Sequence, residues 1–235
     1  MAYAAVSGST VLSGSLTLPR LGVWSALLCL DTVESLPREV EIQWGELNLR
    51  GAVVRAGIEE GALWCRIVGG KGCLGTSIRS AGFKRPKISA VLDALMDASG
   101  EQLSSDISDG FLSRQLDWFA LMQGQTVGDA LFKLAEATSS VWRVLPDGSV
   151  WMGEETWPVS KADPEEVEVL GVDMAALRLR ARILTASNIF PGQLWDGNRI
   201  DRIEHTICGN SISSEIWIEG EEGNPAILAP AAELE

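Results

Sequence analysis

The sequence has little histidine, little tyrosine and no long apolar run. His205 is the only histidine among 235 residues, and there is one tyrosine. A zinc site built from His and Cys is excluded, because Cys29, Cys65, Cys73 and Cys208 form no C-x-x-C pair and His205 stands alone. No G-x-S-x-G elbow occurs, which removes one common frame for a nucleophile–His–acid set. Apolar stretches stop after a few residues, far short of the ~20 needed to cross a bilayer. Met1–Val6 carries no basic residue before Ser and Gly begin, so it does not read as a secretory signal. Basic residues are scarce in one half only. Residues 1–100 hold ten Lys/Arg against nine Asp/Glu, whereas residues 101–235 hold nine against twenty-three. Glu215 to Glu235 contains six Glu and no cation. Such a surface repels phosphate and disfavours static DNA or RNA binding, while leaving open a channel through which nucleic acid slides without sticking.

What the chain does hold is an ordinary globular share of apolar residues, 46%, with nine Trp. Large rings at that number fill core or interface positions. Three of the four cysteines lie in apolar, strand-like runs, and all four read as reduced core thiols of a protein assembled in the cytoplasm.

Three kinds of periodicity follow one another. In the first eighty or so residues, short alternating runs (Val11–Leu18, Val23–Leu30, Val40–Trp44, Leu47–Arg55, Leu63–Val68) are separated by Gly and Pro, and Gly57–Gly61 reads as a hairpin loop. Short strands at such spacing indicate a β-barrel or sandwich. In the middle, Ile88, Val91, Leu92, Leu95 and Met96 recur at helical spacing up to Gly100. A second helix starts after Thr126, with Asp129 three residues on. Pro146-Asp147-Gly148 then joins two short strands. Gly153–Glu168 is acidic and carries two prolines, an exposed connection. The last part returns to strands, where Arg178, Arg180 and Arg182 alternate with Leu177, Leu179, Ala181 and Ile183. Three like charges on one face call for a carboxylate-bearing neighbour. The expected organisation is a barrel-like domain over 1–84, an α+β region over 85–170, a β domain over 171–220 and a loose acidic tail over 221–235.

Few residues point to chemistry. Gly70-Lys71-Gly72-Cys73-Leu74-Gly75 fits G-x-G-x-x-G after a strand, but no long helix opens behind it and the context is all-β. His205 lies on the face with Ile203 and Ile207, as a hydrogen-bonded structural histidine does. The adjacent carboxylates Glu59-Glu60, Glu154-Glu155, Glu165-Glu166 and Glu221-Glu222 read as solvated surface. Lys71, Arg79, Lys84, Arg85 and Lys87 form the one cationic cluster outside the Arg178–Arg182 row, with only Phe83 among them to stack a base. That cluster suits an acidic surface of the same or a neighbouring subunit.

The segment Ile189–Ile207, with Pro191-Gly192-Gln193 and the closing Ile203-x-His205-x-Ile207, resembles the last β-domain of phage tail baseplate hub proteins. Val127–Ala135 followed by Trp142-x-Val144-x-x-Asp147-Gly148-x-Val150 is similar to a helix-and-hairpin unit of that family. Leu18-Pro19-Arg20, Gly51-x-Val53-x-Arg55-x-Gly57 and Val68-Gly69-Gly70 look like its N-terminal β-domain. The resemblance implies a mainly β fold with a small α+β part and two β-barrel-like domains. It implies a non-enzymatic virion protein, a homotrimer joining tail tube to central spike around an acidic channel for DNA, with other baseplate proteins as neighbours. No cofactor, metal or stable membrane insertion is implied. Interface candidates are Trp195, Trp217, Arg178, Arg180 and Arg182. The alternatives are a tail-associated cell-wall hydrolase or peptidase using His205 or a carboxylate pair, and a nucleotide-binding module using Gly70–Gly75.

Overall fold

The computed structural model describes residues 4–45, 47–155, 167–173, 178–183, 189–195, 198–209 and 211–219. The first six strands are β1 (Ala4–Val6), β2 (Ser9–Pro19), β3 (Ser25–Leu30), β4 (Glu39–Trp44), β5 (Leu47–Glu59) and β6 (Ala62–Gly69). They run antiparallel in the order β1-β4-β5-β6-β3-β2, and β1 pairs again with β2 to close a barrel. Alternation dictates the wall. In β4, Val40, Ile42 and Trp44 point inward while Glu39, Glu41 and Gln43 face water. Leu16, Leu28, Leu30, Ile42, Leu49 and Ile67 fill the interior.

Turn chemistry sets the register. Ser7-Gly8 joins β1 to β2 and Glu60-Gly61 joins β5 to β6, all four residues at positive φ. That is the two-residue hairpin whose twist matches its strands. The Gly57–Gly61 loop expected from sequence is therefore corrected, because Gly57 is a strand residue paired with Trp64. Gly14 is obligatory, since its φ is +143° and a Cβ there would lie 2.2 Å from the Leu27 carbonyl oxygen.

A small α+β insert follows. It comprises β7 (Ala81–Lys84), α1 (Ile88–Ser99), the single-turn α2 (Asp109–Leu112), β8 (Trp118–Leu121), α3 (Val127–Thr138), β9 (Val141–Val144) and β10 (Val150–Gly153). Helix α1 ends at Gly100 in the left-handed region, and α3 starts with a reciprocal Thr126–Asp129 capping box. The stripes Val91, Leu92, Leu95 and Ala130, Leu131, Leu134 join Trp142 and the barrel's apolar residues in one continuous core.

The remaining strands are β11 (Val167–Asp173), β12 (Arg178–Ile183), β13 (Leu194–Trp195), β14 (Asn198–Cys208) and β15 (Ser211–Glu219). They extend the barrel wall. Strand β2 uses Ser9 and Thr10 for β1, then Ser13–Pro19 for β14, and the sheet runs on through β15, β12 and β11. The fold is thus mainly β with a small α+β part, as the resemblance implied. The expected boundary at 170/171 falls inside β11, and β7, just before the boundary at 84/85, pairs with β8 beyond it. The cysteines divide. Cys29 and Cys65 are buried, but Cys73 is half-buried in a turn and Cys208 is exposed at the end of β14, so these two are not core thiols. The expected tail, 221–235, and most of the acidic connection lie outside the described residues.

Candidate assembly interface

The outer face of the continuous sheet carries apolar side chains that nothing described covers. Register aligns Ser15, Leu27, Arg66 and Arg55 in one row across β2, β3, β6 and β5. The next row holds Ser13, Cys29, Trp64 and Gly57. On this face Leu27 is 51% exposed; Ile58, set opposite buried Leu63 and so on the other face near the end of β5, is 62% exposed. With Trp64, Arg55 and Arg66 they line a shallow groove of about 870 Å³. Strand β4 pairs with β5 only as far as Ala52. Among the described residues no strand pairs with that edge of β5 from Val54 to Glu59. An uncovered edge beside an apolar groove is a place where another chain adds a strand.

Farther along the sheet, the Arg202 guanidinium lies 4.4 Å from the Trp217 ring centroid. Register sets Arg180 opposite Trp217, Arg182 between Glu215 and Glu168, and Arg178 between Glu219 and Asp173. The backbone therefore brings Trp217 and the three arginine positions together and gives the arginine row carboxylate-bearing neighbours. Trp195 stands apart on β13, opposite Asn198 across the other edge of β14.

The positions considered for chemistry are already in use. In the glycine loop, Gly70 and Gly72 both have φ of +74°, which turns successive amides toward one point. Glu101 occupies that point, where Lys71 N–H donates to Oε2 and Cys73 N–H to Oε1, each at 2.8 Å. Glu101 is 5% exposed. The donors a phosphate would need are thus taken by a carboxylate of the chain itself. A Cβ at position 70 would meet that carboxylate at 2.6 Å. Sequence reading missed this use of Glu101, since nothing local marks a partner about thirty residues away.

His205 does have a hydroxyl beside it. Its Nδ1 lies 2.7 Å from Ser214 Oγ, across the β14–β15 ladder. Both residues are buried, and the imidazole packs against Trp44 with centroids 6.0 Å apart. Burial pushes its pKa down to about 4. Among the described residues its Nε2 has no hydrogen-bond partner, so none of them holds the ring as the acid of a nucleophile–base set would, and the arrangement is that of a buried structural histidine. Among the described residues no group of three or more His, Cys, Asp or Glu could hold a metal.

The carboxylate pair Glu154-Glu155 is not simply solvated. Glu155 Oε1 lies 3.8 Å from both Arg20 Nε and Arg199 Nη1, its side chain only 16% exposed. Burial pulls the Arg143 pKa down to about 10 while Glu155 opposes that shift. This cluster ties the insert to β2 and β14. The cationic group of the insert gains an aromatic that its sequence does not show, because β7–β8 pairing sets exposed Trp118 opposite Lys84.

A β2 shared between a closed barrel and a long antiparallel sheet, with a small α+β insert, can be compared with known structures. The chain has the fold of phage tail proteins. The tail protein from Neisseria meningitidis superposes with a TM-score of 0.63 at 12% identity, over 93% of this chain and 96% of that one. The 43 kDa tail protein of prophage MuSo2 from Shewanella oneidensis gives 0.63 at 10% identity, over 92% and 96%. The E. coli c3393 protein, a type VI secretion component described as similar to the T4 tail proteins gp27 and gp5, gives 0.63 at 10%, over 94% and 77%. No family model matches the sequence, and no curated protein sequence does either.

Proposed function

We propose that the chain is a structural hub subunit of a phage tail baseplate. Three copies form a ring that joins the tail tube to the central spike, with other baseplate proteins around it. The observation that carries this reading is the outer sheet face, where Leu27 and Trp64 are exposed beside an unpaired stretch of β5. A monomer gains nothing from such a surface and risks aggregation through it, whereas an assembly buries it. The face with Trp217, Arg178, Arg180 and Arg182 is a second contact surface in this reading, and Trp195 a third, smaller one.

The acidic half of the chain supplies the channel. Residues 101–235 carry the whole of the net charge of −13 and more. Carboxylates around a lumen keep DNA from adhering during ejection. The subunit performs no catalysis, binds no cofactor and makes no specific nucleic-acid contact; it folds in the host cytoplasm and resides in the virion.

Negative-stain electron microscopy of the purified full chain tests the proposal. Three-fold rings with a central hole are expected, and these should disperse in the Leu27→Asp/Trp64→Asp variant. Globular particles without a ring at any concentration, with tail tube and spike proteins present or absent, would sink it.

A further inference from the structure

The charges at the two ends of helix α1 oppose its dipole. Residues 79–87 hold four cations and no carboxylate, whereas residues 88–113 hold five carboxylates and no cation. Arg85 and Lys87 therefore stand at the positive end of α1, and Asp97 lies in its last turn, at the negative end. Asp93 and Asp97, one turn apart, repel each other along the exposed face of the helix. Neither group relieves the other. Among the described residues no ion pair reaches Lys84, Arg85, Lys87, Asp93 or Asp97. About 15 Å of helix separates Lys87 from Asp97.

The backbone adds a third cost. Arg85 stands at φ +48°, in the left-handed region, directly before Pro86. Its own Cβ and the proline ring both disfavour that conformation. Two bonds hold it there: Arg85 N–H donates to the Asp117 carbonyl at 3.1 Å, and Gln115 Nε2 donates to the Arg85 carbonyl at 2.8 Å. Beside it, the β7–β8 register sets Lys84 opposite Trp118 on the outward face, while Phe83 and Phe119 turn the other way, into the core. Trp118 is 66% exposed. In the next row a Cβ on Gly82 would meet nothing within 4 Å, so the outward face of the ribbon is open.

We propose that the face formed by Lys84, Arg85, Lys87 and Trp118 docks the Asp93 and Asp97 face of α1 on a second copy of this chain. Each copy offers one face of each sign, so the contact runs head to tail, the kind that closes a ring. The aspartates of one copy meet unpaired cations and the positive end of a helix on the next, which offsets the charge and backbone costs each copy bears alone. Ala90, Ala94 and Ala98, a small-residue stripe beside the two aspartates, leave room for the Trp118 ring. The contact uses the insert alone and does not depend on the hub reading.

Sedimentation velocity of the full chain over a range of concentrations tests the contact. Self-association should weaken roughly tenfold between about 50 mM and about 500 mM salt. Arg85→Asp/Lys87→Asp and Asp93→Lys/Asp97→Lys should each weaken it roughly tenfold, and the chain carrying all four substitutions should regain the parent's affinity, because its two faces have exchanged signs. Arg85→Gly removes charge and strain together, so it should weaken association about threefold yet keep the denaturation midpoint at or above the parent's. A parent that stays a single chain in the low-salt buffer, or four substitutions without recovery, would overturn the contact. Association untouched by either charge reversal would overturn it while leaving the hub reading standing. Binding to anionic vesicles or single-stranded DNA that Arg85→Asp/Lys87→Asp abolishes, with self-association unchanged, would overturn it in favour of a lipid or nucleic-acid partner.

Discussion

His205 and Glu101 are buried polar residues with opposite consequences. The imidazole is neutral in the fold, since burial holds its pKa near 4, while in the unfolded chain it titrates at about 6.5. Above that pH neither state carries the proton and the full stability is present. As pH falls toward 4 the unfolded chain takes the proton first, and stability drops by on the order of 3 kcal/mol. Urea denaturation at pH 7 and pH 4.5 checks this, and His205→Gln should show a smaller loss between the two pH values than the parent. Glu101 stabilises through two charge-assisted hydrogen bonds. Glu101→Ala leaves two amides unanswered and should cost about 3 kcal/mol, read as a lower denaturation midpoint with an unchanged slope. The histidine's role was legible in its alternation with Ile203 and Ile207. The glutamate's was not, because its partners come from the other end of the barrel–insert boundary. Nor could composition sort the tryptophans. Trp24, Trp44 and Trp142 are core, while Trp64 and Trp118 face outward.

At the scale of elements, periodicity told most where an element is long enough to repeat. Helices α1 and α3 fall where apolar spacing and caps set them, and the capping box carries a prediction. Thr126→Ala should lower stability by about 1 kcal/mol, a shift that differential scanning calorimetry would detect. The ribbon β7–β8 escaped sequence reading because each strand has four residues and over thirty residues separate them. The hairpin end at Glu60-Gly61 escaped for another reason. Gly57 looks like a loop residue, yet it lies in a strand whose far side is uncovered. Gly14→Ala is the most damaging single change expected in the barrel wall. It forces a side chain into the Leu27 carbonyl from a conformation that only glycine adopts freely, costing roughly 3 kcal/mol or more. Loss of the cooperative unfolding transition or of soluble protein is the expected readout.

For the whole molecule, the order of elements was legible and their connection was not. A barrel, an insert and a terminal sheet follow from the sequence of periods. That β2 serves β1, β3 and β14 at once follows only from register. The consequence is mechanical. Barrel and terminal sheet share a wall, and the Glu155 cluster fixes the insert to both, so force applied to one part reaches the others. Exposed Leu27 and Trp64 on this wall are what an assembly would cover. Native mass spectrometry of the full chain over a range of concentrations tests that claim most directly. Three copies of the 25.3 kDa chain in one particle are expected, reduced to single chains by Leu27→Asp/Trp64→Asp. A parent protein that stays a single chain at every concentration, alone and with its tail neighbours, would contradict it.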